Sequence, residues 1–230
     1  MTDRAVRVWD LPTRLFHWLL VLAVTGALVT VKLGGTWMQW HERCGMAVLG
    51  LLAFRLCWGL FGASTARFQH FVPSPRTLCD HVRGRWRGIG HNPLGALSVL
   101  AMLVLLGFQA VTGLFAFDDI AFSGPLRPAV SSAASDRLSG WHRLTEWWLY
   151  GLLALHVLAV LFYTLVKKDN LVAPMITGRK PAGDLAHEGV RGGGAVAFAI
   201  ALAIAAAMVW AVASGVLLPP PLPPTPSLGW

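Results

Sequence analysis

Charge is what this sequence has least of. Only 19 of its 230 residues are Lys or Arg and 11 are Asp or Glu, where soluble domains carry roughly 25% charged residues. With 55% hydrophobic residues and a mean hydropathy of +0.58, such a surface would aggregate in water, so a bilayer is the expected solvent. Cysteine is scarce as well. Cys44, Cys57 and Cys79 form neither a CxxC pair nor a CxxCH motif, which excludes covalent c-type haem attachment. Free thiols are expected, with Cys44 and Cys57 too far apart on one helix to join. The net charge of +8 comes from basic residues that alternate between loops and build no continuous face, so nucleic acid is not an expected partner.

Five stretches are long and apolar enough to cross a hydrocarbon core, which takes about 20 residues. They run from 14 to 33, 42 to 61, 94 to 117, 144 to 166 and 195 to 218. The first lacks a small-residue cleavage site and opens on His17, so it reads as a retained helix and not as a signal peptide. Arg4, Arg7 and Arg14 precede it. Arg67, Arg76, Arg83, Arg85 and Arg87 follow the second span, and Lys167, Lys168, Arg179, Lys180 and Arg191 follow the fourth. The other side holds Lys32, Arg43, Arg127, Arg137 and Arg143, offset by Asp118, Asp119 and Asp136. Positive-inside reasoning places the N-terminus in the cytoplasm and the C-terminus outside. The fifth span is rich in alanine and free of ionisable groups, which suits packing or a homo-oligomer contact. The tail "PPPLPPTPSLGW" is expected to be extended or disordered.

Polar side chains inside a membrane are costly and mark function, and four of the eight histidines fall in or beside the spans. His70, His81, His91 and His187 lie in basic loops, where an exposed imidazole is the expectation. Of the others, His17 enters the first span from the inner side and His41 opens the second at the outer side. His142 and His156 share the fourth. Fourteen residues apart, they lie within about 40° of one helical stripe and roughly 21 Å apart along its axis. Depth pairs His17 with His156 and His41 with His142. Zinc normally takes four ligands, and only Glu42 and Glu146 stand near the outer pair. A proton relay would want acids inside the bundle, which are nearly absent. Haem b needs one axial nitrogen on each face and an apolar pocket, which opposed helices of a four-helix bundle supply. The fourth helix would then lend one ligand to each of two haems. Arg55, fourteen residues beyond His41, projects at the depth of the inner one; it either pairs with a haem propionate or snorkels to the inner headgroups. Gly45, Gly50, Gly107, Gly113 and Gly151 admit either a flat macrocycle or simple helix contact.

Several stretches carry a resemblance. "WDLPTRLFHW" at the entry to the first span, "HERCG" followed by "FRLCWGLFG", "QAVTGLFAFDDIAFSGPL", "WHRLTEWWLYGLLALH" and "KKDNLVAPMITGRK" together resemble the bacterial cytochrome b561 family, which includes the b-type cytochrome subunits of nickel–iron hydrogenases. The resemblance covers about residues 8 to 180. It implies an all-α membrane protein: a four-helix transmembrane di-haem core over 1–180, here followed by an inner loop and a fifth transmembrane helix over 181–218 and a proline-rich periplasmic tail over 219–230. It carries the iron-ligand role onto His17, His41, His142 and His156, with two non-covalent b haems. It also implies electron transfer between a quinone and a periplasmic redox partner, such as a c-type cytochrome, at the bacterial inner membrane. An alternative within the same fold is a superoxide oxidase reducing ubiquinone, with Arg43, Arg137 and Arg143 as an anion funnel. Trp37, Trp40, Trp141, Trp147 and Trp148 gather near the outer surface as an aromatic belt.

Overall fold

The computed structural model describes residues 5–86, 91–118, 120, 122–181 and 190–220. Arg4, Arg87, Asp119, His187 and residues 221–230 of the proline tail lie outside the described residues. Five long helices dominate: α1 (Leu11–Leu33), α2 (Met38–Phe61), α5 (Pro93–Leu114), α6 (Ser132–Leu165) and α8 (Ala195–Ala213). Three short ones, α3 (Phe68–Phe71), α4 (Pro75–Val82) and α7 (Val172–Thr177), lie in the connections. All five long helices are apolar enough to cross a membrane. Their outward faces carry large apolar side chains such as Leu22, Val104, Leu158 and Val196. The protein is an all-α, multi-pass membrane protein.

Local chemistry sets the helix starts. Pro12 and Pro93 occupy the first turns of α1 and α5, where a missing N–H costs nothing. Asn92 caps α5 by accepting from the Gly95 N–H at 2.7 Å, and Ser131 caps α6 through Ala134. Asp10 sits at the cap of α1 but makes no capping bond; its carboxylate Oδ2 accepts from Trp58 Nε1 at 2.8 Å instead. The main departure from expectation is α6. It begins at Ser132, twelve residues before the apolar stretch, so its 34 residues extend about 51 Å at 1.5 Å each. Its first turns are polar and precede the apolar stretch.

The two ends of the bundle differ. Residues 5–7 (β1) pair antiparallel with residues 179–181 (β2), and Ala63 bridges to Gly192. The N-terminal segment and the loops after α2 and α6 therefore meet at one end, which also holds Arg7, Arg14, Arg67, Arg179, Lys180 and Arg191. We call this the basic end. Gly178 makes the closure tight: its φ is +81°, and a Cβ there would stand 2.8 Å from the Trp9 carbonyl oxygen. Arg14 Nη1 donates to the Ile176 carbonyl, and Trp18 Nε1 to that of Met175 at 3.2 Å.

Helix α2 is central and packs on α1, α5 and α8, while α5 packs on α6. The α1–α2 approach is close enough that a Cβ on Gly26 would meet Cys44 Sγ at 2.8 Å. On the other side of α2, a Cβ on Gly50 would meet Val209 of α8 at 2.9 Å. Midway along the bundle, Ala23, Val24, Val48, Leu52, Leu106 and Leu149 form one apolar layer contributed by α1, α2, α5 and α6. The three cysteines are free thiols.

Candidate functional site

The four span histidines sort into two pairs on either side of that apolar layer. His142 and His156 lie on α6, with buried Leu149 seven residues from each. At the far end, His41 of α2 faces His142 of α6. Their ring centres are 6.1 Å apart and their planes cross at 88°. A metal held between two imidazoles at about 2 Å from each nitrogen needs ring centres separated by that distance on both sides plus two ring radii, roughly 6 Å. The pair has this spacing.

The tautomer of both rings follows from their neighbours. His41 Nδ1 is 2.9 Å from the Ala27 carbonyl oxygen on α1, and His142 Nδ1 is 2.9 Å from that of Gln109 on α5. A carbonyl only accepts, so each Nδ1 must donate its proton, leaving Nε2 with the lone pair that binds metals. Further contacts fix His142. Gln109 Nε2 donates to the His142 carbonyl at 3.0 Å, and Thr145 Oγ1 donates to Gln109 Oε1. Thr112 Oγ1 stands 3.3 Å from His142 Nδ1 while giving its proton to Phe108 at 2.8 Å. Gly113 lets the ring lie against α5, since a Cβ there would be 3.0 Å from His142 Cε1. A cavity of about 270 Å³ adjoins the pair, walled by Val24, Leu28, Leu106 and Leu149, with Glu42, Asp118 and Arg143 as its charged lining residues. Beside it, Lys32 of α1 meets Glu146 of α6 at 2.6 Å, and Tyr150 donates to the same carboxylate oxygen at 2.7 Å.

The basic-end pair is built differently. His17 of α1 and His156 of α6 lie within electrostatic reach of each other, and His17 Nδ1 is buried without a hydrogen-bond partner. Arg55 is 3% exposed, which excludes snorkelling. Its guanidinium lies 4.9 Å from the Phe68 ring centre and 5.5 Å from that of Phe71, and Nη1 has no partner. Asp10 Oδ1 is also unpartnered. His91, expected to be exposed in a loop, instead packs its ring on Trp9 at 4.5 Å and Phe71 at 5.3 Å, with Nδ1 shielded and unpaired. Burial, with the Arg55 charge and then His156 and His17 adding to it, pushes its pKa down to about 3. Among the described residues, every buried side-chain polar atom without a partner lies toward this end except Arg127 Nε. Such atoms are rare in folded proteins, and each costs several kcal/mol in hydrocarbon. Their concentration fits a group with polar edges held there.

No set of three or more His, Cys, Asp or Glu side chains capable of holding a metal occurs among the described residues. Two imidazoles alone do not make a zinc site; they do complete an iron whose other four ligands come from a porphyrin. A chain-wide comparison matches the family model for prokaryotic cytochrome b561 over residues 8–178. The chain belongs to that family. Among its relatives is the "Probable Ni/Fe-hydrogenase 1 B-type cytochrome subunit" of Escherichia coli K12, 23% identical over 214 residues, spanning 74% of this chain and 88% of the relative. The corresponding Azotobacter vinelandii subunit is 28% identical over 221 residues (76% and 88%), and that of Rhodobacter capsulatus 24% over 215 residues (76% and 81%). No solved structure gives a significant match. The family region ends before α8, so the fifth span stands outside the part the family model describes.

Other expectations divide in the structure. Of the five span glycines, Gly45 and Gly113 line the cavity, whereas Gly50 admits α8. Of the three outer arginines, Arg43 stacks on Trp40 at 4.7 Å, Arg137 donates to the Ala133 carbonyl of its own helix, and Arg143 lines the cavity. Trp37, Trp40, Trp141, Trp147 and Trp148 are exposed near the far end. Sequence reasoning missed Gln109 and Thr112, although two polar side chains three residues apart in an apolar span are a visible signal. It also missed His91, whose neighbour Asn92 is a recognisable helix cap.

Proposed function

We propose that this cytochrome b561 family member conducts electrons across the membrane through two b haems, held by His41 with His142 and by His17 with His156. The observation that carries the reading is the far-end pair, at iron-bridging distance with both Nδ1 protons committed to backbone carbonyls. Haem held by two imidazoles would supply a one-electron ferric–ferrous couple, which suits electron transfer.

The chain's own residues do the rest. Ala27 and Gln109 orient the far-end imidazoles, and Gly113 and Gly45 leave room beside them. Leu52, Leu106 and Leu149 keep water out of the layer between the pairs. Arg55 offers a buried cation to a haem propionate at the basic end, its planar fork matching a carboxylate. By the positive-inside rule the basic end faces the cytoplasm and the far end the periplasm. The electron partners are then a membrane quinone and a periplasmic redox protein: a c-type cytochrome or, following the names of its relatives, a nickel–iron hydrogenase. Purified protein should contain two haem b per chain, and His41→Ala or His142→Ala should leave one. A haem-free wild-type protein, or one that keeps two haems in both variants, would refute the assignment.

A further inference from the structure

The ribbon that closes the basic end sets two like charges face to face. In its antiparallel register Arg7 of β1 is the direct partner of Arg179 of β2. The Val8 N–H donates to the Gly178 carbonyl at 2.8 Å, whereas the Arg7 carbonyl accepts from Val190 on the opposite edge at 3.2 Å. The two arginines therefore form a non-hydrogen-bonded pair, the kind in which side chains stand closer. Cβ atoms so paired are about 4.5–5.5 Å apart on one face, and like charges there are destabilising. Both side chains are exposed. Among the described residues neither is in an ion pair. Asp169 is already held by Lys180 at 2.6 Å, and Asp10 accepts from Trp58.

Apolar side chains begin where these charges end. Leu11, Leu15 and Trp18 are exposed along one stripe of α1 that starts four residues after Arg7. Ile176 of α7 is exposed three residues before Arg179. Arg14 Nη1 and Trp18 Nε1 tie this part of α1 to the Ile176 and Met175 carbonyls, so the two apolar surfaces adjoin. A phosphodiester matches two guanidinium forks, and only a lipid adds chains that can lie on the apolar stripe below.

We infer that Arg7 and Arg179 form a headgroup site for an anionic phospholipid, whose acyl chains lie along Leu11, Leu15, Trp18 and Ile176. The bound phosphate offsets the repulsion built into the ribbon, and so fastens the N-terminal segment to the chain that follows α6. The site is independent of the haem reading.

The purified full chain, stripped of lipid in a neutral detergent, tests this. It is titrated with dioleoylphosphatidylglycerol, dioleoylphosphatidylcholine, inorganic phosphate and polyglutamate, following the thermal midpoint and, by native mass spectrometry, retained lipid. Phosphatidylglycerol should raise the midpoint saturably and stay bound, and the other three should not. Arg7→Gln and Arg179→Gln should each weaken that response about fivefold or more, the scale of one basic side chain at an anionic surface. In phosphatidylcholine both variants should be at least as stable as the parent, because the repulsion is relieved; this separates lost binding from lost folding. Arg76→Gln, which removes an exposed charge from α4, should leave the response unchanged. An equal response to phosphatidylcholine, phosphate or polyglutamate overturns the inference. So does an equal loss in Arg76→Gln, an undiminished response in both ribbon variants, or ribbon variants less stable than the parent in phosphatidylcholine.

Discussion

The rings of His41 and His142 stand 6.1 Å apart, crossed at 88°, and neither is free to turn. Each is tied through Nδ1 to a carbonyl on a third helix, so four helices converge on two nitrogen lone pairs. Gln109 is the most heavily used of these supports: its backbone orients the ring, and its side chain ties to the His142 carbonyl and to Thr145. Gln109→Leu keeps the carbonyl but drops both side-chain ties. Loss of an outer-shell support typically costs about 10–100-fold in metal affinity, and a similar loss is expected at the far-end haem only. Haem titration into the apoprotein measures it; unchanged binding at both sites would contradict it.

Gly113 makes a sharper steric test. A Cβ at this position would lie 3.0 Å from His142 Cε1 and 3.3 Å from its Nδ1, and a ring pinned by hydrogen bonds has little room to retreat. Gly113→Ala should therefore weaken or abolish the far-end haem while sparing the basic-end one. Gly107→Ala on the same helix, where a Cβ meets nothing within 4 Å, should be neutral. Equal spectra for the two variants would contradict the packing described.

Trp58 and Asp10 hold the basic end together. Trp58 is 1% exposed, and among the described residues its indole N–H is the only hydrogen-bond donor to the Asp10 carboxylate. Trp58→Phe keeps most of the ring volume but leaves a buried carboxylate oxygen bare, at a cost of about 1–3 kcal/mol. Thermal unfolding in detergent should fall accordingly, and Asp10→Asn combined with Trp58→Phe should recover part of the loss. Additive losses would show that the two side chains do not act together.

His91 gives the chain a pH dependence. Its folded pKa of about 3 lies below the unfolded value of about 6.5, so between these values the unfolded chain binds the extra proton. Stability contributed by the neutral ring is then complete above about pH 6.5 and falls as the pH drops toward 3. Arg55, His156 and His17 all disfavour the protonated form. The thermal midpoint should decline from pH 7.5 to pH 5, and less steeply in His91→Gln than in the parent. Parallel curves would contradict this.

The sequence made the histidine pairing legible because membrane helices sort side chains by depth. Spans of alternating direction put His17 level with His156 and His41 level with His142, whatever the details of packing. The supports of the rings were not legible, because Ala27 and Gln109 act through backbone carbonyls, which no residue type announces. His91 was misread for a different reason. The segment after α2 folds back over the basic end, laying Phe71 on both Arg55 and His91, and hydropathy does not record such a return. Helix α6 starts twelve residues before the apolar stretch at 144: Ser132–Arg143 is too polar to count as span, although Ser131 caps a helix that begins there.

The account stands most directly on haem stoichiometry by site. Reduced-minus-oxidised spectra and haem content of the wild-type protein should give two low-spin b haems per chain, and each single alanine variant of His17, His41, His142 and His156 should give one. A wild-type chain with no haem, or a full complement surviving loss of any of these histidines, would contradict it.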